Sequence, residues 1–293
     1  MQNSTTVSHP LVMSLTFGEM TSIKYLYCVF VLVGYVLTIL ANITVIAVIT
    51  LHQTLHKPMY IFISTLCFNG LYGSSAFYPS LFINLLYKAQ TISYVGCLLQ
   101  VYAIHTYGTN EITILTVMGF DRYVIYKLIA AAFLYTFFWI TIHVILTSRL
   151  PLCDSVILKI YCDNWSVVRL SCVDTTVNNA YGILTIVAIP VVMPILIFIS
   201  YVEILRVCAR SSKDFRSKAL QTCAPHLISI TNYLFDVLFE LTLYRYTPTN
   251  VPYGFRVFMS LNFLVVPPLL NPLVYGFKIQ ELRIKMAKHL LRK

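Results

Sequence analysis

Charged side chains are scarce in this sequence, and their scarcity argues against a soluble fold. Only 11% of the 293 residues are Asp, Glu, Lys or Arg, while 58% are hydrophobic. Soluble domains carry about 25% charged residues, so this chain has too few charges to cover a surface that faces water. We therefore predict an integral membrane protein whose apolar side chains face lipid.

Other missing features narrow the function. The two halves of this chain share no internal repeat, whereas the two halves of an inverted-repeat transporter resemble each other. No nucleophile–base pair and no metal-ligand spacing occurs, because the seven histidines are scattered and only His52 and His56 stand four residues apart. No basic–aromatic module of the kind that binds nucleic acid lies outside the apolar runs. We expect no enzyme, no catalytic residue, no metal, no cofactor and no nucleic-acid partner.

Seven predominantly apolar runs are long enough to cross a bilayer, which takes about 20 residues as a helix. Because lipid offers no hydrogen-bond partners, each run must satisfy its own backbone groups as a helix. We predict an all-α fold, a bundle of seven transmembrane helices formed by residues 25–277. The predicted spans are Tyr25–Leu51, Met59–Tyr87, Gly96–Phe120, Leu128–Ser148, Val177–Leu205, Leu220–Leu243 and Val257–Phe277.

The two ends of the chain are predicted on opposite sides of the plasma membrane. Residues 1–23 lack the basic region of a cleavable signal peptide, so we expect residues 1–24 to form an extracellular tail that is followed by a signal anchor. Most basic residues then fall on the cytoplasmic side, as the positive-inside rule requires. Residues 278–293 place apolar side chains at helical intervals among basic ones, which predicts a short amphipathic eighth helix on the inner lipid face.

Four of the eight cysteines lie on the predicted outer side, where the oxidising environment permits disulfides. Cys97 opens the third span, and Cys153, Cys162 and Cys172 lie in the long loop after the fourth. Spacing alone leaves three pairings open. The remaining cysteines are predicted to be small buried thiols within helices: Cys28, Cys67, Cys208 and Cys223.

Three Asn-X-Ser/Thr sequences match the glycosylation pattern. Asn3 lies in the outer tail and is the predicted acceptor. Asn164 lies in the outer loop, where the sequence does not decide between a glycan and a structural role. Asn42 falls in the middle of the first span, so we interpret it as a packing residue.

Four short motifs occur in a characteristic order along the seven spans. They are Leu55-His56-Lys57-Pro58-Met59-Tyr60, Met118-Gly119-Phe120-Asp121-Arg122-Tyr123-Val124, Lys218-Ala219-Leu220-Gln221-Thr222-Cys223 with His226, and Pro268-Leu269-Leu270-Asn271-Pro272-Leu273-Val274-Tyr275. Together they resemble the vertebrate odorant receptors, which are rhodopsin-like (class A) G-protein-coupled receptors. Residues 57–63 are most similar to fish members. The resemblance covers nearly the whole chain and implies a small-molecule odorant outside and a heterotrimeric G protein inside.

Two of these motifs are expected to rearrange together on activation. They contribute Asp121, Arg122 and Tyr123 at the inner end of the third span, and Asn271, Pro272 and Tyr275 in the seventh. A carboxylate beside a guanidinium can hold that charge until the bundle opens, although a solvated anchor is the alternative. A proline inside a span removes a backbone hydrogen bond and makes a deformable point.

Two polar positions, Asn69 and Glu111, are predicted to face the bundle interior. An ionisable residue at this depth is by default a functional candidate, and the resemblance implies a sodium- or water-linked polar network here. Odorant receptors often have aspartate at the position of Asn69, so the neutral residue argues against strong sodium binding. A protonated Glu111 that acts only as structural glue is the alternative.

The resemblance implies that the odorant binds between the outer halves of the third, fifth, sixth and seventh helices. Asp236 and Glu240 stand four residues apart and share a face, which would attract an amine or amino-acid odorant. The alternative is that these carboxylates pair with Arg245 or Arg256, or face water. The predicted ligand-binding residues are Ile104, His105, Gly108, Thr109, Asp236 and Glu240.

The family's disulfide pattern implies Cys97–Cys162 and Cys153–Cys172, which would hold the outer loop as a lid over the ligand entrance.

The second inner loop departs from the family, where it is longer and rich in proline and basic residues. Here Val124 runs directly into residues 125–132, which resemble the start of the family's fourth helix. A non-signalling or truncated member of the family is therefore an alternative to a working receptor.

An ion channel or transporter that uses Glu111, Asp236 and Glu240 as an ion path is the alternative from another class.

Overall fold

The computed structural model describes residues 9–17, 24–118, 125–188, 195, 202, 227–236, 239 and 252–291. Helices make up most of these residues and pack side by side. They are α1 (Lys24–Leu51), α2 (Pro58–Leu86), α3 (Tyr94–Val117), α4 (Ile125–Ser148), α5 (Asn164–Val168), α6 (Thr176–Ala188), α7 (227–236), α8 (Tyr253–Lys278) and α9 (Gln280–Leu291), with a 3-10 turn at Gln53–Leu55.

Three of the described helices combine the length and apolarity that a membrane span needs, namely Lys24–Leu51, Tyr126–Ser148 and Tyr253–Gly276. Helices α2 and α3 have 29 and 24 residues. At about 1.5 Å per residue both are longer than the hydrocarbon core, which is about 30 Å thick. The predicted fifth and sixth spans lie partly outside the described residues.

Capping residues fix where two of these helices begin. Pro58 occupies the first position of α2, where the missing N–H costs nothing, and Lys57 before it is extended. Ser93 caps α3, since its hydroxyl accepts a hydrogen bond from the Gly96 N–H at 3.1 Å.

The fourth helix begins three residues before its approximate predicted start. It begins at Ile125, close to the predicted Leu128, because the sequence between them contains neither glycine nor proline to interrupt it. Only residues 118–124 lie between α3 and α4 in the sequence. The eighth helix, α9, lies within the predicted segment.

The buried side-chain amide of Asn42 joins α1 to α8 beside Pro272. Pro272 has no N–H to bond the carbonyl four residues earlier, which belongs to Pro268. That carbonyl instead accepts a hydrogen bond from the Asn42 side chain at 2.7 Å, and the same amide donates to Thr38 O at 2.8 Å. Asn42 is fully buried, which confirms that it is a packing residue.

A short three-stranded sheet, which was not predicted, covers the outer end of the predicted helical bundle. Strand β1 (Val12–Leu15) lies between β2 (Thr91–Ser93), which is antiparallel to it, and β3 (Val156–Ile157), which is parallel. Met13 and Leu15 are buried beneath it. The part of the N-terminal tail at residues 9–17 is thus tied to the outer loop rather than extending freely.

Candidate functional site

Glu111 lies at the centre of a polar network between three helices. It is almost completely buried in α3. Its carboxylate accepts hydrogen bonds from the Asn69 amide of α2 at 2.9 Å and from the Asn271 amide of α8 at 2.5 Å. The Asn69 amide also donates to the backbone oxygen of Tyr107 at 3.0 Å. The structure therefore brings together three predicted residues from separate stretches of sequence.

A fourth helix joins this network through Ser229, which sequence analysis missed. The Ser229 hydroxyl in α7 donates to the side-chain oxygen of Asn271 at 2.9 Å. A single serine in an apolar helix gives no signal by which it could have been singled out. Helices α2, α3, α7 and α8 thus meet at one buried carboxylate.

Asp236 forms a second buried carboxylate site, nearer the outer end of α7. It is fully buried, so the alternative that it faces water is wrong. It accepts a hydrogen bond from the Asn232 amide at 3.2 Å and another from the Asn262 amide of α8. Arg256 donates instead to the backbone oxygen of Leu158, at 3.4 Å. Glu240 and Arg245 lie outside the described residues.

The candidates in α3 do not all face the same neighbour. A Cβ atom at Gly108 would come within 2.9 Å of the Phe263 ring, so this glycine lets α8 approach closely. His105 faces α4, because its ring lies edge-on to His143 with centroids 6.0 Å apart. Ile104 and Thr109 are both buried.

Gly108 and Asp236 contact the same part of α8. Phe263, which packs against Gly108, directly follows Asn262, which binds Asp236. Because Asn262 and Phe263 are consecutive residues, the Gly108 contact and the Asp236 hydrogen bond lie at one level of α8.

The outer loop is fixed over this region by covalent and polar bonds. The structure contains the two disulfides that the resemblance implies, Cys97–Cys162 and Cys153–Cys172. The Gln100 side chain accepts a hydrogen bond from the Cys162 N–H at 2.8 Å and donates one to Ala76 O at 3.1 Å. The loop is therefore anchored to α3, and the same glutamine joins α3 to α2.

A buried ion pair stiffens the same loop. Lys159 Nζ lies 2.8 Å from the Asp163 carboxylate, whose other oxygen accepts from the Ser166 N–H at 2.8 Å. Burial alone would raise the pKa of Asp163, but the Lys159 charge and these hydrogen bonds outweigh burial and hold that pKa below its ordinary value.

Asn164 has a structural role in the loop. Its side chain is buried, with its amide nitrogen 2.8 Å from His143 Nε2 and its oxygen accepting from the Thr147 hydroxyl at 2.7 Å. A glycan on this amide nitrogen would displace the His143 contact, so the observed contacts favour the structural role over glycosylation.

Several predicted residues lie outside the described part of the chain. They are Asn3, Asp121, Arg122, Tyr123, Glu240, Cys208 and Cys223. Pro272 and Tyr275 lie in α8, where Tyr275 is buried. Cys28 and Cys67 are buried free thiols, as predicted for them.

Residues 27–293 match the family model described as olfactory receptor. The chain belongs to the olfactory receptor family. It is 34% identical over 269 residues to human "Olfactory receptor 51I2", covering 86% of each chain. It is 32% identical over 305 residues to mouse "Olfactory receptor 4E2", covering 98% of this chain and 96% of the relative.

Solved structures support the fold independently. Squid rhodopsin aligns with a TM-score of 0.70 at 14% identity, covering 94% of this chain and 87% of rhodopsin. At this identity the likeness shows the fold alone, a rhodopsin-like bundle of seven helices. As an olfactory receptor the chain is a multi-pass plasma-membrane protein and not an enzyme. Its assignment to the fish type stays a prediction, since the relatives named above are mammalian.

Proposed function

We propose that this olfactory receptor binds a small odorant in the outer half of its bundle and activates a heterotrimeric G protein at the inner end. The hydrogen-bonded chain Ser229–Asn271–Glu111 carries the proposal. It links α7, which also holds Asp236, to the Asn271-Pro272 position of α8 and to α3. A ligand that shifts α7 must rearrange these bonds, and the helices then adopt another arrangement.

The proposed arrangement across the membrane follows from this function. Residues 1–24 form the outer tail, residues 25–277 the receptor bundle, and residues 278–293 the cytoplasmic tail. Asp121, Arg122 and Tyr123 form the proposed latch at the inner end.

The ligand that we propose is an amine or an amino acid. The buried Asp236 carboxylate bonds Asn262, and the next residue, Phe263, packs against Gly108. A ligand bound at this level would bring its positive charge to the carboxylate and its apolar part to the ring. Away from water, opposite charges attract more strongly than they do at a surface. The amides of Asn232 and Asn262 fix the orientation of the carboxylate.

Cyclic-AMP production in cells that express the receptor at a verified surface level tests the proposal. Amines, amino acids and neutral odorants of matched size would be compared on wild type and on Asp236→Asn, which keeps the shape and removes the charge. We expect the variant to lose potency for charged ligands by tenfold or more, about 1.4 kcal/mol, and to keep it for neutral ones. Equal losses for both ligand classes would rule out charge recognition by Asp236.

A second candidate is a receptor that binds ligand without signalling. The observation that favours it is the short connection between α3 and α4, residues 118–124, which leaves little chain to contact a G protein. A version with a family-like second inner loop inserted separates the two candidates. If only this version responds, the pocket works and coupling is lost in the natural chain.

A further inference from the structure

The tail helix α9 is fastened to the inner end of α2 by one carboxylate. Glu281 lies in the first turn of α9. Lys57 Nζ lies 2.9 Å and 3.2 Å from its two oxygens, and the Tyr60 hydroxyl donates to it at 2.9 Å. These residues are separated by more than 220 positions in the chain, so only the fold brings them together.

Local geometry explains why a lysine and a tyrosine meet there. Lys57 is the residue before Pro58 at the start of α2, and Tyr60 follows within the first turn. Residues three apart lie on one side of a helix, so both point their donors at the same place. The hydrogen bond from Lys57 is the largest influence on Glu281 and holds its pKa below the ordinary value.

Apolar contacts hold α9 against the bundle, and the Glu281 cluster adds a specific orientation. Leu282 is fully buried, and the Met286 sulfur would lie 3.1 Å from a Cβ atom at Gly276. Apolar contacts are not directional, whereas an ion pair with a tyrosine hydrogen bond is. With Glu281 held, Arg283 and Lys288 on the same helix are exposed.

We propose that Glu281 is a positioning residue for G-protein coupling. Through Lys57 and Tyr60 it sets the angle of α9 against the start of α2, and this angle directs the exposed basic residues of α9 toward the G protein. The inference rests on the proposed function. This positioning matters more in this chain than in a receptor with a long second inner loop, because only residues 118–124 lie between α3 and α4 in the sequence.

Hydrogen–deuterium exchange of the purified full-length receptor tests the positioning directly. We expect Glu281→Gln and Lys57→Gln to speed exchange across residues 280–291 by about twofold to fivefold, the range for loss of an exposed ion pair. The charge swap Lys57→Glu with Glu281→Lys should restore slow exchange, because the pair re-forms. Lys288→Gln removes an exposed charge from the same helix and serves as the matched control, with no change expected.

Coupling is measured on wild type, Glu281→Gln, Lys57→Gln and the charge swap, as cyclic-AMP production with and without odorant at equal surface levels. Lys288→Gln is a control for exchange alone, because Lys288 itself lies on the basic surface of α9. We expect Glu281→Gln to lower the maximal response by a similar factor, the swap to restore it, and odorant potency to stay unchanged. Faster exchange with unaltered coupling would reduce the contact to a structural role and overturn the inference. Unaltered exchange would overturn it as well.

Failure of the proposed function would give different results from failure of the inference about Glu281. A wild-type receptor that stays silent with every odorant, and also with the longer second loop, would end the signalling proposal and the coupling claim that rests on it. The exchange experiment would still show whether Glu281 orients α9, because it needs no ligand and no G protein.

Discussion

The outer and inner ends of the bundle each carry one ion pair among the described residues, and the two pairs differ in their access to water. The Lys159 and Asp163 side chains are 2% and 14% exposed, while those of Lys57 and Glu281 are 59% and 38% exposed. Breaking a buried pair leaves an unpaired charge away from water. Breaking an exposed pair lets water replace the partner. Breaking an ion pair therefore has a large structural effect at the outer end of the bundle and a small one at the inner end.

Other contacts follow the same division. The outer end adds two disulfides and a three-stranded sheet that includes residues 9–17. At the inner end, the contact between α2 and α9 is a half-exposed cluster. A receptor needs a fixed outer lid to shape its pocket and an inner face that can rearrange, and the distribution of strong contacts fits these two needs.

The largest effect is expected from removing the disulfide that joins α3 to the lid. Cys97 and Cys162 are 65 residues apart, and Cys153 and Cys172 are 19 apart. The chain-entropy model gives about 4 kcal/mol for the longer loop and about 3 kcal/mol for the shorter. We expect Cys97→Ser with Cys162→Ser to lower surface level and thermal stability more than Cys153→Ser with Cys172→Ser. The reverse order would show that native contacts, not loop length, decide the effect.

The second-largest loss of stability is expected from breaking the buried ion pair. Lys159→Met leaves Asp163 charged and buried, which costs about 3–5 kcal/mol. Adding Asp163→Leu to this variant should recover most of the loss, because no buried charge remains. Thermal unfolding in detergent, monitored by tryptophan fluorescence, measures the stability of both variants. If the single and double variants were equally stable, the unpaired charge of Asp163 would not be the cause of the lost stability.

Acid should weaken the outer end through Asp163. The pKa of Asp163 is lowered in the folded protein, so its stabilising contribution is complete above the unfolded carboxyl pKa, about 4. It is lost as the pH falls through the lower folded value. Comparing thermal stability against pH for wild type and Asp163→Asn isolates this contribution, and the difference between them should shrink in acid. A constant difference would contradict the assignment.

The Ser229 hydrogen bond should have a smaller effect. Side-chain hydrogen bonds between membrane helices contribute about 0.6 kcal/mol on average, so Ser229→Ala should lower thermal stability only slightly while changing ligand-independent signalling. Ser229→Thr keeps the hydroxyl and is the control. An unchanged basal signal in Ser229→Ala would separate this bond from activation.

A similarly small stability change is expected at the inner ion pair. Glu281→Gln should alter thermal stability by less than about 1 kcal/mol, as for other exposed pairs, even though it changes the exchange of α9. A loss as large as that from Lys159→Met would remove the contrast between the two ends.

Apolar runs made most helices predictable, and their lengths located the described spans to within a few residues. Helix α4 begins three residues before its approximate prediction because Ile125–Lys127 contains no residue that stops a helix. Strand β1 was missed because it has four residues and both its partners lie far along the chain.

The polar sites were predictable only as separate residues. Glu111, Asn69 and Asp236 stand out because charges and amides are rare in apolar spans. Their partners Ser229 and Asn262 do not, since a small polar residue in such a helix is unremarkable until something is known to lie opposite it.

The sequence by itself determined that this chain crosses a membrane, which family it resembles and which side its cysteines face, because hydrophobicity, motif order and redox environment are properties of the chain. Tertiary structure alone decided that Glu111 joins four helices, that Asn164 is buried and that Lys57 holds Glu281. Hydrogen bonds and ion pairs act over about 3 Å, so they depend on how helices distant in sequence are placed against one another.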